Sequence, residues 1–83
     1  MLVDILKVIQ KSGGEAKPTH ILYKANLSHK LLKTHLNLLI EKGFIEQKIY
    51  GDKVHYAITQ KGNKFIEEFR KIEKLSSAFG LPI

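Results

Sequence analysis

Five side chains within nine residues carry the chemistry this sequence has to offer a partner: His29, Lys30, Lys33, Thr34 and Asn37. All are hydrogen-bond donors or cations, and steps of three and four between them place them on one side of a helical rod. Such a rod suits a polyanionic groove, where ammonium groups meet phosphates and amide or imidazole groups reach base edges. An ordinary amphipathic helix with a solvated face shares the pattern, so the neighbouring elements must decide between the two.

Other chemistries find no footing. The chain has no glycine-rich phosphate loop, no paired carboxylates in a recognisable frame and no nucleophile motif, which speaks against an enzyme and against a cofactor. Ser76-Ser77 sits in a tail. His20 and His55 stand on separate elements, His29 and His35 are six residues apart on different faces of one helix, and no cysteine or glutamate-histidine motif accompanies them, so no metal site is expected. His35 reads as a half-buried packing residue beside Leu36 and Leu39, whereas His29 opens the helix and reads as a contact.

The elements that position the five residues can be read in turn. Ser28 is a good N-cap, and Gly43 can enter the left-handed conformation that ends a helix, with Lys42 beside the last carbonyls. Between them Leu32, Leu36, Leu39 and Ile40 form a buried stripe, giving a helix over 28–42. Ahead of it, Leu2, Ile5, Leu6 and Ile9 predict a helix over 2–12, stopped by Ser12-Gly13-Gly14. Residues 15–17 form a short link that could supply one rung of a strand. Pro18 starts a brief second helix with Ile21, Leu22 and Ala25 inward and Asn26 as a left-handed exit. Two helices so tightly joined, the second amphipathic and basic, form a helix-turn-helix candidate.

After Gly43 the hydrophobic period changes from 3.6 to 2. Residues 44–50 and 53–58 are β-rich runs around Gly51-Asp52, a pair suited to a hairpin turn. A two-residue loop pairs Ile49 with Val54, Gln47 with Tyr56 and Ile45 with Ile58 on an apolar face. Lys48 then meets His55 on a polar face, with Tyr50 and Lys53 at the tip. Thr59 caps a last helix, whose apolar side holds Phe65, Ile66, Phe69, Ile72 and Leu75 and whose first turn Gly62 weakens. Phe65 and Ile66 are expected to complete the core, and residues 76–83, with Gly80 and Pro82, to fray or fold back.

These elements make one domain over 1–83, mostly helical α+β: three helices, a two-stranded hairpin and a C-terminal helix over about 60–77, with no room for an insertion. The 83 residues carry 43% apolar side chains and a formal charge of +6, which favours a polyanionic partner. Each third of the chain holds +2, so charge alone does not locate a site. The absence of cysteine fits a reducing compartment. No apolar run reaches membrane-spanning length, and Asp4 in the first apolar stretch, without a basic leader, is unlike a signal peptide. A cytoplasmic, nucleoid-associated protein is expected.

Several motifs in order resemble a known family. Leu27-Ser28, Leu36, Leu39 and Lys42-Gly43-Phe44-Ile45 are similar to the recognition-helix signature of winged-helix regulators of the MarR type, with Phe44 in place of the usual leucine. Tyr56-Ala57-Ile58-Thr59-Gln60-Lys61-Gly62 resembles the exit from the wing in that family. The arrangement is most similar to small archaeal winged-helix DNA-binding proteins and covers nearly the whole chain. The resemblance implies a winged helix-turn-helix that binds double-stranded DNA, with base-reading positions at His29, Lys30, Leu31, Lys33, Thr34 and Asn37 just after Ser28. Leu31 is apolar where many members carry a polar reader, which points it toward a thymine methyl or toward packing.

Lys48, Tyr50, Lys53 and His55 would set the wing on a neighbouring backbone or minor groove. Thirteen lysines against one arginine, Arg70 on the last helix, imply affinity drawn largely from phosphates and modest base reading. That suits a transcriptional regulator and an architectural low-specificity DNA binder equally. A winged-helix protein-interaction module is the other alternative, against which the lysines at 30 and 33 argue. Phe65, Phe69, Ile72, Ser76 and Phe79 alternate steps of four and three, so Phe69, Ile72 and Phe79 are expected to be exposed and to pair two copies into a homodimer.

Overall fold

The computed structural model describes residues 2–81. Its elements run α1 (Leu2–Lys11), β1 (Glu15–Ala16), α2 (Pro18–Ala25), α3 (His29–Glu41), β2 (Ile45–Tyr50), β3 (Lys53–Ile58) and α4 (Gln60–Ala78). Helix boundaries follow the local chemistry. Asn26 sits at φ 53 and ψ 52, the left-handed exit from α2. Ser28 Oγ accepts the Leu31 amide at 3.2 Å to cap α3. At the far end Gly43 (φ +80) lets its own amide reach the Ile40 carbonyl at 3.0 Å and the Phe44 amide reach that of Leu39 at 2.9 Å, so two orphan carbonyls are satisfied.

The core is small and aliphatic: Ile5, Leu6 and Ile9 from α1, Ile21 from α2, Leu32, Leu36 and Leu39 from α3, Ile45 from β2 and Ile66 from α4 are buried. Against it lies a three-stranded antiparallel sheet in the order β1-β3-β2. The hairpin has the register expected from a two-residue loop, Ile45 opposite Ile58 through Tyr50 opposite Lys53, and Glu15 and Ala16 add the third strand opposite Ala57 and Tyr56.

Two apolar positions and the chain after Ser76 depart from expectation. Ile49, on the apolar face of the hairpin, is 68% exposed, because it lies near the tip rather than at the core end with Ile45. Phe65 is 37% exposed, and Ile66 alone of the pair is fully buried. The chain after Ser76 neither frays nor folds back through residue 81. The helix continues to Ala78 and closes at Gly80 (φ +71), where the Leu81 amide bonds the Ser76 carbonyl at 2.8 Å and the Gly80 amide that of Ser77 at 3.0 Å. Pro82 and Ile83, the rest of that tail, lie outside the described residues.

The exit from the wing is a clamp that fixes α4 to the end of α3. Thr59 Oγ1 accepts the Gly62 amide at 3.1 Å and donates to the Gly43 carbonyl at 2.6 Å. Lys61 Nζ donates to the Lys42 carbonyl at 2.6 Å and lies 4.9 Å from the centre of the Phe44 ring. Gly62 is buried, and a Cβ there would run into the Phe44 carbonyl and lie 2.6 Å from Ile58 Cγ1. The glycine is present because α4 approaches the chain this closely, at the cost of a weaker first turn.

Candidate nucleic-acid interface

On α3 the buried stripe of Leu32, Leu36 and Leu39 turns the opposite sector outward, where His29, Lys30, Lys33, Thr34 and Asn37 are all exposed. His29, Lys33 and Asn37 follow at steps of four and share a cleft of about 430 Å³ with Pro18, Gln47 and Tyr56, so they line the gap between α3 and the wing. Lys30 and Thr34 flank that row. The Thr34 hydroxyl donates to the Lys30 carbonyl at 3.0 Å, leaving its oxygen as an acceptor and its methyl for apolar contact. Ser28 Oγ is engaged as the cap acceptor and keeps its own proton for a partner. Leu31 is 49% exposed but turned from Lys33 by about 160° around the helix. His35 is half-buried, as read from the sequence, and its Nε2 is buried with no hydrogen-bond partner among the described residues.

The wing divides by face. Strand alternation puts Gln47 and Tyr56 on the side that lines the α3 cleft and Lys48, Tyr50, Lys53 and His55 on the other. On that second face three of the four expected contact residues already have carboxylate partners. Lys48 Nζ meets Glu46 at 3.0 Å. The Tyr50 hydroxyl donates to Glu15 Oε1 and the His55 ring, through Nδ1, to Glu15 Oε2, both at 2.9 Å, with the two rings edge to face at 5.1 Å. These bonds hold the Glu15 carboxyl below its ordinary value of 4.5, the His55 bond most, and the same carboxylate pushes the Tyr50 hydroxyl up. Glu46 likewise pushes the Lys48 ammonium up. Lys53 is exposed at the tip and shares a recess of about 400 Å³ with Lys17, Thr19, Asp52 and His55 beside the start of α2.

Gln47 and Tyr56 therefore join α3 in its cleft, whereas Lys17 and Thr19 join Lys53 and His55 in the recess on the other side of the wing. The hairpin register already carried the signal for the first two, since it pairs them on the face opposite Lys48. Lys17 and Thr19 flank Pro18, the mark of the helix start, which was read for structure alone. On α4 and just past its end, Ile72, Leu75, Phe79 and Leu81 are each more than half exposed. Phe69 is not: it is half-buried, stacked on Phe65 at 6.2 Å with Lys7 Nζ 5.3 Å from its ring centre. The exposed seam is thus Ile72, Leu75 and Phe79.

Among the described residues no three histidine, aspartate or glutamate side chains are grouped to hold a metal ion, and no helix is long and apolar enough to cross a membrane.

Similar folds occur among solved structures. Sso10a-2, a DNA-binding protein from Sulfolobus solfataricus, matches 94% of this chain and 86% of its own at 28% identity and a TM-score of 0.70. A winged-helix DNA-binding protein from STIV matches 87% and 85% at 24% identity and 0.75. The reduced transcriptional regulator YodB from B. subtilis matches 92% and 76% at 22% identity and 0.82. No curated protein matches the chain in sequence. A family model described as winged helix-turn-helix spans residues 1–77, and with the helical core, tight α2–α3 turn and hairpin described above, the chain belongs to the winged helix-turn-helix family.

Proposed function

We propose that the protein binds double-stranded DNA as a transcriptional regulator, with α3 in the major groove and the wing on the adjacent backbone or minor groove. The observation that carries this is the outward sector of α3: His29, Lys30, Lys33, Thr34 and Asn37 stand exposed on a helix whose cap and buried stripe are complete without them. Asn37 carries the amide chemistry that reads adenine, and Lys30 or Lys33 the ammonium that reaches guanine or phosphate. Ser28 and Leu31 stand at the edge of this set, as a donor and an apolar contact. Of the wing residues Lys53 contributes most, because Lys48, Tyr50 and His55 must first exchange a carboxylate for a phosphate.

The lysine-rich surface favours a second version of this reading, an architectural binder with little base preference. The single arginine lies on α4, away from α3, so the bidentate reading of guanine that arginine provides is missing there. In either version the protein is a binding protein acting on the nucleoid, paired through α4.

Titration of a labelled duplex at several salt concentrations tests the proposal. The double variant Lys30→Ala, Lys33→Ala is expected to lower affinity at every salt and to reduce the slope of log K against log salt by about two. Unchanged duplex affinity in that variant sinks the assignment of α3. Comparison of random with selected duplexes separates regulator from architectural binder.

A further inference from the structure

A cleft of about 440 Å³ lies against α1 and α4, neither of which supplies a residue to the α3–wing cleft. That volume is in the range of small-molecule sites. Its lining holds the chain's single arginine, and that arginine is held in place by a side-chain relay. Asn63 Oδ1 accepts from Gln10 Nε2 at 3.0 Å, and Gln10 Oε1 accepts from Arg70 Nη2 at 3.0 Å. Asn63 thus orients the Gln10 amide, which fixes one nitrogen of the guanidinium. A guanidinium carries five N–H donors in a planar fork, so this bond leaves most of them available, and an oriented fork suits an oxyanion.

Lys74 follows Arg70 by one helical turn and lines the same cleft, as does Lys71, whose ammonium also meets Glu68 at 3.4 Å. Glu67 is the acidic member of the lining. A carboxylate there opposes a bare polyanion but accepts hydrogen bonds from hydroxyl groups. Buried Ile66 adds an apolar contact. Arg70 and Ile72 differ by two residues, about 160° around the helix, so Arg70 faces away from Ile72 in the exposed seam of α4.

We propose that the α1–α4 cleft binds a small hydroxylated oxyanion of the sugar-phosphate class, with Arg70 and Lys74 on the phosphate and Glu67 accepting from a sugar hydroxyl. The site is independent of the DNA-binding reading and survives its failure.

Heteronuclear NMR on the nitrogen-labelled 83-residue chain tests it, following the side-chain amides of Gln10 and Asn63 and the Arg70 Nε–H. A ribose phosphate is expected to shift these signals saturably and to bind more tightly than inorganic phosphate. Arg70→Met weakens both by about tenfold or more, as loss of a charge-assisted contact does. Glu67→Gln weakens the ribose phosphate alone, and Gln10→Leu weakens both while leaving the charge in place. Arg70 and Glu67 are exposed, and the remaining spectrum reports that the fold is intact.

No saturable shift, equal binding of the two phosphates, or shifts indifferent to Arg70→Met each overturns the proposal. So does a duplex that shifts these signals and binds more tightly after Glu67→Gln, since the cleft is then a contact for DNA backbone.

Discussion

A single carboxylate, Glu15, takes the Tyr50 hydroxyl and the His55 ring at 2.9 Å each and so ties the start of the sheet to the wing. Because its pKa is lowered in the fold, the ionised form is the one the fold favours. Its contribution to stability is therefore complete above the ordinary carboxyl value of 4.5 and is lost as pH falls through the lowered folded value. Glu15→Gln is expected to melt at a lower temperature than the natural chain above pH 4.5, and the gap between the two is expected to close on further acidification. A gap that stays constant through that range would show that the hydrogen bonds do not depend on the charge. The residues of α3 were legible in the sequence because a helix face is a local pattern. Glu15 was not, because its partners lie 35 and 40 residues away and nothing local marks a carboxylate that will meet them.

At the scale of elements, the wing exit shows what a motif can and cannot say. Thr59, Lys61 and Gly62 stood out in the sequence as a resemblance, and Gly62 looked like a flaw in a helix. In the fold the three residues join α4 to the last turn of α3, through the Gly43 and Lys42 carbonyls and the close approach to Phe44. Replacing Gly62 by alanine gains about 0.5–1 kcal/mol of helix preference. The added Cβ, however, meets backbone and the branched side chain of Ile58, which cannot swing aside as a flexible chain end does. Overpacking of this kind costs about 1–3 kcal/mol. Gly62→Ala is therefore expected to be net destabilising, read as a lower midpoint of urea unfolding with an unchanged slope. A raised midpoint would mean that α4 can move off Phe44 freely. The two-residue loop gives the hairpin its register, yet the alternation along that register groups exposed Ile49 with buried Ile45 on one apolar face. Periodicity reports which residues share a face and not how far the covering helices extend.

The molecule as a whole is elongated, 48 Å along its longest axis against 26 and 21 Å across, and α4 is its longest element. A helix of 19 residues is about 28 Å long, more than so small a core can cover. The consequence is the seam of Ile72, Leu75 and Phe79, apolar side chains left in water at spacings of three and four. The heptad read from the sequence had the right helix but included Phe69 and Ser76, which the fold half-buries. Pairing two copies along the corrected seam is expected to place two α3 helices to face half-sites about one turn of DNA apart. The natural chain is then a dimer by sedimentation at micromolar concentration, whereas Ile72→Glu with Phe79→Glu is a monomer with unchanged helical content, since neither side chain supports the core. The monomeric variant keeps its affinity for a duplex with one half-site and loses about a hundredfold or more on a duplex with two, as bivalent binding is lost. Phe69→Glu behaves differently, lowering stability in the monomer as well, because its ring packs within its own domain. A natural chain that sediments as one copy would leave α4 without this role, and the exposed seam would then need another partner.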